Sequence, residues 1–321
     1  MLEAKINSVP LAPVSIEDCT FPEVFVDLTY RCNMACKMCY SDSPSPAMPN
    51  TSTSHLPDLD LGYYEEVCRR LPNPTVMALV GGEPTLRKDI LDIIEITHRY
   101  GHMAFISTNG IRFARDPAFT KAFADVARRG NTRLHMDVSG GYDSMLSAAI
   151  HGQDAVETKL TALKNMQEAR LSKLVIACVL IRGLNEAAIP DVLHMANRFD
   201  RIVRVVKFRA QGHNGRWVNE THPYSTAEIT ALLEPHIARD DLLANIKLSG
   251  ALKTPHYTPE PRCRGKNCCL HVRPSRKLEI NILECFTDQG TCWRKGRLID
   301  GYRVEPVFES FGRVALKGSL I

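Results

Sequence analysis

The sequence predicts an α/β fold: a parallel sheet laid down in six β-α steps and covered by helices, followed by a small cysteine-rich unit. Three observations predict it. Strand-like runs rich in branched and aromatic residues alternate with helix-period segments through the first two thirds of the chain. Near Gly212 this rhythm stops, and Pro223, Pro235, Pro255 and Pro259 interrupt the next segment. The eleven cysteines fall in two groups, three from Cys32 to Cys39 and five from Cys263 to Cys292, with Cys19, Cys68 and Cys178 alone. The expected boundary gives a first domain over residues 1–215 and a second over 216–321. At 321 residues the chain is long for one compact domain.

In order, EVFVDLTY (23–30) reads as the first strand and leads directly into the first cysteine group. The stretch SDSPSPAMPNTSTSHLPD after it is too rich in Pro, Ser and Thr for regular structure. LGYYEEVCRRL (61–71) has apolar residues at helical spacing, and TVMALVGGEP is a short buried strand ending in a glycine pair. RKDILDIIEITHRYG (87–101) is the clearest amphipathic helix, closed by Gly101. Then come the strand MAFISTNG, the helix DPAFTKAFADVARRG, the strand TRLHMDVSGG and the helix QDAVETKLTALKNMQEA. The strand KLVIACVLIRG, the helix NEAAIPDVLHMANRF and the strand RIVRVVKFRAQG complete the rhythm. Past the boundary, STAEITALLEPHIA is one helix and KLEINIL one good strand. In a parallel sheet of this kind ligands sit at the carboxyl ends of the strands. The unusual residues fall there: the cysteines after the first strand, Gly81-Gly82-Glu83 after the second, Ser107-Thr108-Asn109 after the third, and Asp137 and Ser139 after the fourth.

Composition narrows the classes. An apolar share of 44% and a charged share of 24% are those of a globular protein. The net charge of +4 comes without a run of Lys and Arg interleaved with aromatics, so nucleic acid is not an expected partner. The N-terminal segment has no apolar signal core and no stretch approaches 18 uninterrupted apolar residues, so the expectation is a cytoplasmic protein with no membrane partner. In a reducing compartment so many cysteines argue for metal centres rather than a disulfide framework. The three lone cysteines read as small buried apolar residues.

RCNMACKMCYSD (31–42) carries Cys32, Cys36 and Cys39 as C-x3-C-x2-C. Thiolates bind zinc, iron–sulfur clusters or soft copper. Structural zinc takes four ligands, and no fourth Cys or His follows closely, His55 being the first. Three thiolates in one loop suit a [4Fe–4S] cube whose fourth iron stays open to a small molecule.

This motif after the first strand of a six-step β/α sheet, with GGEP after the second, resembles the radical S-adenosylmethionine (SAM) enzymes over about residues 20–215. The resemblance implies a partial (βα)6 TIM-like barrel. In that family the open iron chelates the methionine amino and carboxylate groups of SAM, and an electron from the reduced cluster cleaves SAM to methionine and a 5′-deoxyadenosyl radical. Carried over by position, Cys32, Cys36 and Cys39 resemble the cluster ligands. Gly81, Gly82 and Glu83 resemble the element that receives the SAM amino group, with Glu83 offering charge to the ammonium. Ser107, Thr108 and Asn109 fall where ribose or carboxylate contacts are made. Gly183 and Asn185 resemble the adenine-side turn, and Arg209 ends the sixth strand near the same cavity. Two departures stand out. Met38 replaces the usual aromatic before the third cysteine and would pack on adenine beside Tyr40. Asp137-Val138-Ser139-Gly140 exchanges the two polar residues of the usual Ser-x-Asp-Gly, so Asp137 is expected on ribose hydroxyls or substrate.

The tail CRGKNCCLHVRPSRKLEINILECFTDQGTC reads either as a zinc knuckle of four thiolates or, beside such a core, as a twitch/SPASM-like extension. The latter implies a second, auxiliary [4Fe–4S] cluster on Cys263, Cys269, Cys285 and Cys292. Cys268 and Cys269 are adjacent and point oppositely from an extended chain, which leaves Cys268 as a candidate hydrogen-atom donor.

The activity implied is reductive cleavage of SAM and hydrogen-atom abstraction from a small-molecule or peptide substrate. The outcome would be oxidation, epimerisation or C–C/C–S bond formation assisted by the auxiliary cluster. A reductant such as flavodoxin or ferredoxin is the implied partner. The different class to set against this is a zinc- or iron–sulfur-stabilised regulatory protein without SAM cleavage. Only about 20 residues precede the first strand, an expectation against a peptide-recognition domain there. Arg209, His213, Asn214, Arg216 and Trp217, in FRAQGHNGRW, would suit a polar or anionic substrate.

Overall fold

A computed structural model describes residues 13–39, 41, 43–47, 49–51, 53–210, 224–239, 269–272, 279–283, 292–299 and 301–307. Six parallel strands form its centre: β2 (Glu23–Thr29), β3 (Val76–Gly81), β4 (Met103–Thr108), β5 (Thr132–Asp137), β6 (Leu174–Leu180) and β7 (Val203–Ala210), each paired with the next. The helices between them are α1 (Leu61–Arg70), α2 (Ile90–Arg99), α3 (Ile111–Arg115) and α4 (Pro117–Arg129). They continue with α5 (Ser144–His151), α6 (Val156–Glu168) and α7 (Ile189–Arg198), and α8 (Thr226–Arg239) follows β7. The helix starts are capped as their sequences allow: Asp60, Asp116 and Asp143 accept from Tyr63, Phe119 and Leu146 backbone N–H groups.

The α/β rhythm is therefore as expected, and α3 and α5 are additions to it. Both are short and lie inside stretches that sequence periodicity leaves as turns. The larger difference is at the sheet edges. Beside β7 lies β9 (Glu279–Leu283), parallel to it, and beyond that β8 (Cys269–Val272), antiparallel. At the other edge β10 (Cys292–Ile299) runs parallel to β2, flanked by β11 (Arg303–Val307) and the two-residue β1 (Val14–Ser15). The C-terminal strands thus extend the same eleven-stranded sheet on both sides.

The six central parallel strands form the sheet of a partial barrel. Its outer face, with Val24, Val26, Leu28, Leu79, Ile106, Met136, Ile176 and Phe208, joins the helices in one buried core. The alternate residues Phe105, Ser107, His135, Lys207 and Arg209 are half-buried and face the concave side. Cys19, Cys68 and Cys178 are buried, as expected of lone cysteines. No helix among the described residues is long and apolar enough to cross a membrane.

Candidate active site

The cysteine loop leaves β2 at Thr29 and returns to α1 after Leu59, and its base is clasped shut. Leu59 N–H donates to Leu28 O at 2.9 Å, and the buried Arg87 guanidinium donates to the carbonyls of both Leu28 and Leu59. Asp58 accepts from Thr29 Oγ1 at 2.6 Å and pairs with Arg31 at 2.5 Å. Holding both ends by charge-assisted bonds leaves the middle of the loop to be placed by what it rests on.

It rests first on the Gly81-Gly82 pair. Gly82 N–H donates to Thr29 O at 2.6 Å and Glu83 N–H to Arg31 O at 2.8 Å. A Cβ on Gly82 would stand 2.1 Å from Arg31 O, and Gly81 holds φ 116° with Thr29 O 2.2 Å from where its Cβ would be. Only glycine permits this approach, so the pair serves the chain's own backbone just before Cys32.

Glu83 is 2% exposed, and its carboxylate is already engaged. Oε1 accepts from Thr85 N–H (3.1 Å), Thr85 Oγ1 (2.5 Å) and Thr108 Oγ1 (2.8 Å), and Oε2 from Asn109 N–H (2.7 Å). Burial pushes its pKa up against these donors. Glu83 thus ties the end of β3 to the end of β4. Asn109 extends the tie: its Nδ2 donates to Asn33 Oδ1, inside the cysteine loop, at 2.7 Å, and its Oδ1 accepts from Ile111 N–H at 3.0 Å.

Asp137, at the end of β5, is held from three sides. Its Oδ2 lies 2.6 Å from His151 Nε2 and 2.9 Å from Lys159 Nζ, and Ser139 Oγ donates to its Oδ1. Burial works against ionisation of Asp137, but the Lys159 ammonium and then His151 outweigh it and hold the carboxyl well below its ordinary range. Burial, reinforced by Lys159, pushes His151 below its ordinary value. Ser139 and Asn185 are 0% exposed. Ser139 Oγ also accepts from Val179 N–H at 2.8 Å. Asn185 closes the turn after β6: its Oδ1 accepts from Ile181 N–H, and its Nδ2 donates to Val179 O and Ser139 O. Gly183, at φ 74°, has no atom within 4 Å of where a methyl group would stand.

The sequence-predicted residues therefore sort into two layers. Glu83, Thr108, Ser139 and Asn185 form a buried scaffold, while Cys32, Cys36, Cys39, Ser107, Asn109, Asp137 and Arg209 stand half-buried above it. Ser107 Oγ lies 3.3 Å from His135 Nδ1, His135 stacks on Phe105 with ring centres 5.5 Å apart, and Lys207 Nζ is 5.3 Å from the Phe105 ring centre. Sequence reasoning missed His135, Lys207, His151 and Lys159. Lys159 had a signal: it falls with Val156, Leu160 and Leu163 on the apolar stripe of its helix, where a lysine is buried only if paired. Tyr40, Cys263, Cys268, Cys285, His213, Asn214, Arg216 and Trp217 lie outside the described residues, and of Cys269 and Cys292 only the backbone is described.

The thiols of Cys32, Cys36 and Cys39 are free and half-buried. Cys32 and Cys36 share an apolar patch with Met34, Ile111 and Ala155. Burial first, then the Glu83 carboxylate, pushes Cys32 up to about 12. Burial pushes Cys36 well above the ordinary thiol value, and an ionised neighbour among the three raises each of these two further. Among the described residues no three His, Cys, Asp or Glu side chains are placed to hold a single metal ion. The donor set, three neighbouring thiols on one loop, fits an iron–sulfur cluster.

The family model of the radical SAM superfamily matches residues 26–196. Mycofactocin maturase MftC of Mycobacterium ulcerans is 26% identical over 215 residues, covering 67% of this chain and 54% of the relative. GTP 3′,8-cyclase of Shewanella denitrificans is 24% identical over 201 residues, 61% of this chain and 56% of the relative. The chain thus spans about half the length of these curated relatives. In fold it is similar to Streptococcus suis SuiB, with TM-score 0.57, 12% identity, and coverage of 87% of this chain and 58% of that one.

Proposed function

Because the chain belongs to the radical SAM superfamily, we propose that it cleaves SAM reductively and takes a hydrogen atom from a small-molecule or peptide substrate. The observation that carries this reading is the cysteine loop: three free thiols docked through Asn33–Asn109 and Arg31–Glu83 onto the carboxyl ends of β3 and β4. When bound by Cys32, Cys36 and Cys39, a [4Fe–4S] cluster supplies the electron for that cleavage. The chain's own residues shape the rest. The backbone at Gly81-Gly82 and the polar groups of Ser107 and Asn109 line the loop's neighbourhood and orient SAM. Gly183 leaves open space where the resemblance puts the adenine side. Glu83, Thr108, Ser139 and Asn185 hold those positions from beneath.

Ser107, His135, Phe105, Lys207 and Arg209 present a polar and aromatic concave wall one step below the strand ends, suited to a polar substrate. A maturase among the relatives, and likeness in fold to SuiB, solved with its precursor peptide SuiA, favour a peptide. A reductant such as flavodoxin or ferredoxin supplies electrons. An auxiliary [4Fe–4S] cluster in the C-terminal part, on Cys263, Cys269, Cys285 and Cys292, completes the reading. The β8–β9 register supports it, setting Cys269 across from Leu283, two residues before Cys285. Cys268 is kept as the hydrogen-atom donor under the epimerase outcome.

The test is incubation with SAM, reductant and a panel of candidate peptides and small molecules in deuterated water. A product two mass units lighter identifies oxidation, and carbon-bound deuterium identifies epimerisation. Failure of every candidate to increase 5′-deoxyadenosine formation over the substrate-free rate contradicts this substrate range.

A further inference from the structure

The cysteine loop has a third support, at the end of α5. Ile150 O accepts from Lys37 N–H at 2.8 Å and His151 O from Ala35 N–H at 3.2 Å. These are the two amides on either side of Cys36. Gly152 follows at φ 75°, and a Cβ there would lie 2.9 Å from Ala35 Cβ and 3.0 Å from Ala35 O. The loop is therefore seated directly on the last turn of α5, through the two amides that flank Cys36.

That last turn is itself pinned from inside. The His151 ring is 1% exposed, with Nε2 2.6 Å from Asp137 Oδ2 and Nδ1 3.1 Å from Ser147 O and 3.3 Å from Ser147 Oγ. The ammonium of Lys159, 4% exposed, donates to Asp137 O at 2.7 Å and Asp137 Oδ2 at 2.9 Å, and stands 3.1 Å from His151 Nε2. A buried lysine on the apolar stripe of α6 thus holds a carboxylate at the tip of β5, which holds the histidine whose carbonyl carries the loop. A buried ion pair contributes little net stability over an apolar replacement, and its best-attested use is to fix one geometry.

We propose that Lys159, Asp137 and His151 are positioning residues that set the place of Cys36 in the cysteine loop. Lys159 fixes Asp137 through its side chain and its backbone, so the strand tip cannot slide against α6. Asp137 then fixes the His151 ring, and the His151 and Ile150 carbonyls fix the amides flanking Cys36. The role assigned here to Asp137 replaces the ribose or substrate contact that the resemblance suggests. The inference rests on the loop being the cluster-binding element, but its test does not.

The test is alkylation of the cluster-free protein by iodoacetamide, read cysteine by cysteine by mass spectrometry. Cys32 and the buried Cys19, Cys68 and Cys178 are internal controls. Two variants are compared with the wild type: Lys159→Arg, and the charge-neutral double variant Lys159→Met with Asp137→Asn, which avoids stranding a lone buried charge. In the double variant Cys36 is expected to react at least tenfold faster with the control cysteines unchanged, and Lys159→Arg is expected to restore most of the wild-type rate. An unchanged Cys36 rate overturns the proposal, as does a rise shared by Cys19, Cys68 and Cys178, which would mark a general loosening of the fold. Iron content after anaerobic reconstitution separates this result from the proposed function. A wild-type protein that binds no iron but shows the expected alkylation pattern contradicts the cluster reading and leaves the positioning intact.

Discussion

Asn109 and Asn33 are hydrogen-bonded side chain to side chain at 2.7 Å, joining the end of β4 to the loop between Cys32 and Cys36. Asn109 Oδ1 also accepts from Ile111 N–H, so the side chain holds the turn and the loop at once. Asn109→Ala is expected to lower stability by about 1–2 kcal/mol, the range for a lost cap with one further bond. A double-mutant cycle with Asn33→Ala by urea denaturation should return a coupling near ~1 kcal/mol. Additive effects would show that the bond does not hold the loop.

Glu83 is the second tie. Glu83→Ala leaves the donors of Thr85, Thr108 and Asn109 without their acceptor and is expected to destabilise by about 3 kcal/mol. Glu83→Gln keeps Oε1 but turns an N–H toward the Asn109 amide, so the expected loss is smaller, about 1–2 kcal/mol. SAM affinity, measured by calorimetry on the reconstituted protein, should fall in the same order. Unchanged stability in both variants would remove Glu83 from the scaffold.

The Asp137–His151 pair predicts a pH dependence. His151 has a folded pKa below its ordinary 6.5 and Asp137 one well below 3.8. Both contribute stability above their unfolded values and lose it as pH falls through the folded ones. Urea midpoints should therefore decline from about pH 6.5 downward, and His151→Gln should flatten the segment between about pH 6.5 and 4. A wild-type curve flat over that segment would contradict the lowering of the buried His151 ring.

Arg297 on β10 and Asp27 on β2 form an ion pair with side chains 11% and 4% exposed, 270 residues apart in sequence. Arg297→Met strands the Asp27 carboxylate and is expected to cost about 3–5 kcal/mol, whereas Arg297→Met combined with Asp27→Leu should recover most of the loss. Equal destabilisation by the single and double variants would argue that β10 does not pack on the central sheet.

The parts of the fold legible in the sequence rest on local signals. The six β-α steps announce themselves because β3 and β6 are near-continuous apolar runs, β2, β4, β5 and β7 place branched or aromatic residues at alternate positions, and α2, α4 and α7 are strongly amphipathic. The site residues at the strand ends were visible because Cys, Gly-Gly and Asn-Gly are chemically unusual there. The edge strands β10 and β11 were missed since strands as short and polar as CWRKGRLI pair through tertiary contacts that periodicity does not encode. The division of Glu83, Thr108, Ser139 and Asn185 from the half-buried residues above them was invisible for the same reason, because it depends on which lone pairs the fold has already used. Lys159 was legible in principle, as a cation on an apolar stripe, and its partner Asp137 sat in a motif whose reversed order already marked a different use.

The most direct test of cluster-dependent SAM cleavage is 5′-deoxyadenosine formation from SAM by the anaerobically reconstituted, dithionite-reduced protein, measured beside the Cys32/Cys36/Cys39→Ala triple variant with iron counted in both. Product is expected from the wild type and none from the triple variant, with a loss of about four irons per chain. Product from the triple variant at the wild-type rate would contradict cluster-dependent cleavage.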